Sequence, residues 1–187
     1  LLIVFVQMVG AGMILPILPL YAQGRFGMSP TAVTLLVASF FAAQFIGGPL
    51  LGRWSDRIGR VPVLIISQVG TVLAFVAFGL ASAPWMLFAS RIFDGLTGGN
   101  IAVAQAYVTD VTPRDNRAQA LGLIAAMFGL AFIIGPLVGG LLVGLGPTVP
   151  YFIAAGAAAV VVGLTVFTLD ESMTSEERAE LRASAVK

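Results

Sequence analysis

Apolar residues run along the chain in six blocks of about twenty positions, each the length a helix needs to cross a hydrocarbon core of about 30 Å. They extend approximately from Leu1 to Tyr21, Thr31 to Leu51, Val61 to Ala81, Trp85 to Val108, Ala118 to Val143 and Thr148 to Leu169. A core helix of a water-soluble protein would show a polar face at 3.6-residue spacing, and the second and sixth blocks show none. The pattern therefore predicts an all-α membrane protein, with residues 1–169 forming a bundle of six transmembrane helices. Ser29-Pro30 reads as an N-cap followed by proline at the first helical position, while Pro84 and Pro113 fall in connections. No removable signal peptide is expected, and the apolar run already under way at Leu1 places the natural N-terminus upstream.

Composition agrees with this reading. Of 187 residues, 58% are hydrophobic and only 10% charged, where a soluble domain carries about a quarter. Ten Lys+Arg against nine Asp+Glu leave no basic surface for nucleic acid. The absence of Cys and His excludes disulfides, thiolate nucleophiles, ordinary zinc sites and histidine acid/base catalysis. No metal or cofactor is expected, enzymatic chemistry is not, and any proton traffic falls to carboxylates. The glycine-rich segments lack a P-loop lysine in a strand-turn-helix setting, which argues against ATP binding.

Arg53, Arg57, Arg60, Arg114, Arg117, Arg178, Arg182 and Lys187 fall on one side of the predicted spans and Arg25 on the other, with Arg91 inside a span. By the positive-inside rule the first group is cytoplasmic, so both chain ends face the cytoplasm and the protein sits in the cytoplasmic (inner) membrane. Residues 170–187 read as the start of a water-loving cytoplasmic linker, with Thr174 and Glu177 spaced as a capping box.

A shift of 87 positions carries Gly48-Pro49-Leu50 onto Gly135-Pro136-Leu137, Phe41 onto Phe128, Phe45 onto Phe132 and Gly52 onto Gly139. In a six-span topology these segments run in opposite directions, so the pattern is an inverted repeat of three helices plus three, a construction common in secondary transporters. The same shift sets Gln7 opposite Asp94 and Gly12 opposite Gly99. Gln7 and Asp94 are thus expected to face one another across a central cavity.

Three motifs occur in order along this frame. Gly52-Arg53-Trp54-Ser55-Asp56-Arg57-Ile58-Gly59-Arg60 follows the second span as a loop, where Gly52 suits close packing or a tight turn and Asp56 a helix N-terminus. It resembles the G-x-x-x-D-R-x-G-R signature of the major facilitator superfamily. Arg91 to Asn100 resembles that superfamily's R-x-x-x-G-x-x-G pattern. The segment from Gly122 to Gly140 looks like the antiporter signature of the fifth helix, with Gly122, Gly135, Pro136, Gly139 and Gly140 in place and Ala131 replacing one glycine. The first span, rich in Gly and Pro, resembles that of drug:proton antiporters of the tetracycline and multidrug efflux group, many of which carry an acid where this chain has Gln7.

The resemblance implies that this chain is one six-helix bundle of a twelve-helix fold surrounding a central cavity. The second bundle would follow on the same gene or be supplied by a second copy. It also implies that Asp56 contacts the other bundle, while Arg57 or Arg60 pairs with Asp110 at the base of the fourth helix, closing the cytoplasmic side.

Arg91 and Asp94 are the only formal charges placed within a span, where each costs about 2.5 to 3.5 kcal/mol or more. Three positions apart on a helix, they share a face, either as an ion pair that fixes the bundle or as a site where Asp94 exchanges protons and Arg91 tunes it or orients substrate. Asn100, Gln105 and Tyr107 in the fourth span, with Gln44 and Gln68, are candidates for the cavity wall or for interhelical hydrogen bonds. The expected function is proton-coupled export of small amphipathic compounds by alternating access, energised by the proton gradient. An uptake symporter or uniporter of the same fold is the alternative, and a channel or scaffold a more distant one.

Overall fold

In the computed structural model, which describes residues 2–173, the chain forms seven α-helices. They are α1 (Leu2–Phe26), α2 (Pro30–Ile58), α3 (Arg60–Gly79), α4 (Pro84–Thr97), α5 (Ile101–Val111), α6 (Arg117–Val143) and α7 (Val149–Thr168), with a short 3-10 turn at Arg114–Asn116. The expected capping box at Thr174 and Glu177 lies outside the described residues, as do Arg178, Arg182 and Lys187. Among the described residues, α1, α2, α3, α6 with its preceding turn, and α7 are each long and apolar enough to cross a membrane. The fourth predicted span is divided between α4 and α5.

That division falls at Gly98-Gly99-Asn100, and its cause is local. Glycine in a helix interior costs about 1 kcal/mol relative to alanine, and two follow in succession here. Ser67 on α3 donates its hydroxyl to the Thr97 carbonyl, and Gln44 Nε2 on α2 donates to the Gly98 carbonyl at 3.3 Å, so the interruption leaves these two acceptors occupied. In a membrane interior such partners are what makes irregular backbone tolerable.

The second span also differs from its predicted bounds. α2 continues beyond Leu51 to Ile58, so Gly52, Asp56 and Arg57 belong to a helix rather than to a loop. The tight turn is made by Gly59, whose φ of 115° lies in the region that favours glycine. A Cβ at Gly52 would meet nothing within 4 Å, so neither role expected for that glycine is seen. At the other end of α2, Ser29 accepts from the Ala32 amide at 3.2 Å with Pro30 opening the helix, as its sequence predicts.

Packing follows the repeat. α1 lies mainly against α6 and α7, α2 against α4, and α3 against α7 and α4. Exchanging the first three spans with the last three converts the α1·α6 contact into α4·α2 and α1·α7 into α4·α3, while α3·α7 maps onto itself. The main core gathers Ile14, Leu18, Leu36, Phe78, Leu87 and Tyr151, and a smaller cluster of Leu51, Val63, Leu64 and Val103 lies at the arginine-rich end. Gln68, buried on α3, accepts from the Thr165 hydroxyl of α7 at 2.9 Å and serves as interhelical glue.

Candidate functional site

Burial decides the character of the charged pair in α4. Arg91 and Asp94 are each only 4% exposed, and their Nη2 and Oδ2 atoms lie 3.1 Å apart. Nη2 and Nε of Arg91 make no aligned hydrogen bond, so the contact is an ion pair by proximity. Three rings surround the guanidinium, with centroids 5.0 Å (Phe78), 5.3 Å (Phe40) and 5.8 Å (Phe75) from Cζ, a cation–π setting that helps hold the charge away from water. Thr71 of α3 lines the same cavity as Asp94. Buried nearby, the hydroxyls of Tyr21 and Tyr151 have no hydrogen-bond partner among the described residues, and their rings stand 5.1 Å apart.

Asp94 lines a cavity of about 130 Å³. Gln7 lines it too, so the two residues that the 87-position shift paired do share one wall-to-wall space. Phe40 and Phe41 from α2, Phe75 from α3, and Phe128 and Phe132 from α6 supply the aromatic part of a mostly apolar lining, interrupted by Gln7, Gln44, Thr71 and Asp94. Gln7 also borders a smaller cavity beside Gln68 and Tyr107, and so stands between the two. Asn100, 2% exposed with an unpartnered Nδ2, sits at the start of α5 and lines neither cavity. Gln105 faces outward and also lines neither.

At the arginine-rich end, the structure selects Arg60 to meet Asp110, with Nε 3.2 Å from Oδ2. Nη1 of Arg60 lies 2.5 Å from Asp56 Oδ1 and donates to Ser55 Oγ at 2.7 Å. Asp56 therefore sits in the last turn of α2 and caps no helix. The N-terminus of α3 is held instead by Glu171, which accepts from the Arg60 and Val61 amides at 2.9 and 3.2 Å. Asp170 to Met173, read from sequence as the start of a linker, lies on the bundle: the Tyr107 hydroxyl donates to the Asp170 carbonyl at 3.1 Å and Met173 is buried.

Small residues of the fifth-helix motif divide into two groups. Ala131, Gly135 and Gly139 are buried against α1. A Cβ on Gly135 would lie 2.6 Å from the Gly12 carbonyl carbon, and one on Gly139 would lie 3.2 Å from Met13 Cα. Added to Gly122 or Gly140, a Cβ would meet nothing within 4 Å. Because the Ala131 carbonyl, not its side chain, faces Gly12, close approach survives the replacement of glycine there.

Sequence reasoning passed over Thr71, Ser67, the two tyrosines and Glu171. The polar stripe Ser67, Gln68 and Thr71 on an apolar span, at helical spacing, was a usable signal for the first two. Glu171 carried none, since a carboxylate just past a membrane helix is ordinarily solvated.

Comparison with known proteins places this geometry among relatives. The family model described as Major Facilitator Superfamily matches residues 1–186. The chain is 36% identical over 179 residues to the class E tetracycline resistance protein of Escherichia coli, covering 95% of this chain and 44% of that protein. It is also 36% identical over 179 residues to multidrug resistance protein 2 of Bacillus subtilis (strain 168), with the same coverage of 95% and 44%. The crystal structure of the human organic anion transporter MFSD10 (TETRAN) superposes with a TM-score of 0.81 at 24% identity, over 95% of this chain and 47% of that one. The chain thus spans about half the length of the relatives it matches.

Proposed function

The chain belongs to the Major Facilitator Superfamily, and on that premise we propose that it forms the N-terminal bundle of a secondary active transporter that exports small amphipathic compounds in exchange for protons. The observation that carries the reading is Asp94, a buried carboxylate paired with Arg91 at the wall of an aromatic cavity. Protonation would dissolve the ion pair, and substrate and proton would compete for the same desolvated group. Each would then leave when the other arrives. The energy source is the proton gradient rather than a bound cofactor.

A second six-helix bundle, from the same gene or from another copy, covers the open side of the cavity, where Phe41 and Phe132 remain half exposed. The arginine-rich end is cytoplasmic, so both ends of the bundle face the cytoplasm of the inner membrane. In this orientation the cluster of Asp56, Arg60 and Asp110 closes the cytoplasmic side in the outward-facing state and opens as the cavity turns inward.

The test is transport by the protein expressed from its complete reading frame in inside-out vesicles with an imposed pH gradient, acid inside. Tetracycline and a lipophilic dye are suitable probes because the relatives are named for tetracycline and multidrug resistance. Substrate uptake into these vesicles, abolished by Asp94→Asn, is the expected result. Unchanged proton-driven uptake in Asp94→Asn would make the pair purely structural. Substrate movement in the same direction as protons would assign symport.

A further inference from the structure

Arg60 occupies an unusual position in the cytoplasmic cluster because it is held twice. Its side chain reaches Asp56 and Asp110, while its backbone N–H, the first of α3, donates to Glu171. Glu171 takes the next amide, that of Val61, with its other oxygen. A carboxylate at the N-terminus of a helix satisfies orphan donors and complements the positive end of the helix dipole. Here it comes from far along the chain, just after α7. The site is shaped to admit it: Gly59 has no Cβ, and one built there would collide with the Glu171 carboxylate. Ser172 adds a bond to Asp110 Oδ2 at 3.3 Å, on the same oxygen that meets Arg60.

We propose that Glu171 is a positioning residue for the cytoplasmic gate: by fixing the first turn of α3 it aims Arg60 at Asp56 and Asp110, and so couples the segment that follows α7, residues 170–173, to the closed state. This inference rests on the gating role assigned above to Asp56, Arg60 and Asp110. Two features distinguish it from ordinary helix capping. The cap is contributed from 111 positions away along the chain, and the residue whose amide it holds is the one whose guanidinium forms the cluster. If residues 170–173 are pulled from the bundle, the α3 amides lose their acceptor and Arg60 loses its backbone anchor. Gate opening and movement of this segment then become one event.

The experiment uses the complete protein with other cysteines replaced and a single reporter, Ala11→Cys, in the cavity wall. A membrane-impermeant maleimide labels it from the cytoplasmic side in inside-out vesicles and from the outer side in right-side-out ones. Glu171→Ala should raise cytoplasmic labelling about threefold to tenfold, the shift expected when a helix cap is lost from one state of a two-state equilibrium, and lower outer labelling. Glu171→Gln, which keeps one acceptor oxygen, should fall between wild type and Glu171→Ala. A residue that merely stabilised the fold would reduce yield without moving the two labelling rates in opposite directions. Arg60→Ala separates the proposal from its premise. If Arg60→Ala shifts labelling and both Glu171 variants do not, Glu171 is no positioning residue although the gate stands. If none of the three shifts it, the gating role falls and this proposal with it.

Discussion

Gly12 of α1 and Gly135 of α6 meet backbone to backbone, so closely that a Cβ on Gly135 would stand 2.6 Å from the Gly12 carbonyl carbon. Their counterparts under the 87-position shift, Gly99 and Gly48, meet in the same way, a Cβ on Gly99 falling 2.6 Å from the Gly48 nitrogen. An internal likeness in the sequence thus returns as two corresponding close backbone approaches, one between helices α1 and α6 and one between α2 and the break that follows α4. Small residues allow this because membrane helices associate by close packing rather than by expulsion of water.

Alanine at Gly135 or Gly99 should therefore destabilise the bundle by about 1 to 3 kcal/mol, the usual cost of forcing atoms into a packed contact. Alanine at Gly122 or Gly140, where the added methyl meets open space, should change stability by no more than about 0.5 kcal/mol. Unfolding in mixed micelles under increasing denaturing detergent measures both. Equal effects at all four positions would contradict the crossing geometry.

The pair in α4 sets up a second expectation. Removing one member of a buried ion pair costs about 3 to 5 kcal/mol because the other charge is left uncompensated. Arg91→Met should thus be severe, whereas Asp94→Asn should be milder because Phe40, Phe75 and Phe78 continue to surround the guanidinium. The double variant Arg91→Met/Asp94→Asn should be more stable than Arg91→Met alone. A double-mutant cycle on detergent-solubilised protein reads the coupling, and simple additivity would show the pair to be energetically idle.

Between α3 and α7, Thr165→Val removes the donor to Gln68. Hydrogen bonds of this kind in membrane proteins average about 0.6 kcal/mol and reach about 1.7. Gln68→Leu should cost a similar amount, and the two together little more than either. The same unfolding assay decides it, with a loss above about 3 kcal/mol for Thr165→Val pointing to a role beyond this bond.

At the arginine-rich end, Arg60→Lys retains the charge but gives up the planar fork that reaches Asp56, Ser55 and Asp110 together. Transport by the complete protein should fall, with cytoplasmic maleimide labelling of the Ala11→Cys reporter rising in parallel. Wild-type labelling in Arg60→Lys would mean that charge alone closes this side.

Much of the architecture was legible in the sequence alone. Lipid imposes a length and an apolar composition on each crossing, and both are written locally, so spans, helix class, repeat and the intramembrane charges could be read from residue order. The N-cap at Ser29 was visible for the same reason. The loop assigned to Gly52–Arg60 is mostly helix because the turn waits for Gly59.

Tertiary structure alone settled the partners. The motif's resemblance to the antiporter signature treats every glycine of the fifth helix alike, but only proximity to α1 separates Gly135 and Gly139 from Gly122 and Gly140. Arg57 and Arg60 were equal candidates for Asp110 until the turn at Gly59 aimed one of them. The break at Gly98 acquires its hydrogen bonds from α2 and α3, and α3 acquires its cap from beyond α7. Residue order determined which segments enter the membrane, because solvent acts on each segment separately; the site depended on which helices meet, because charge pairing and close approach act only across a distance of a few ångströms.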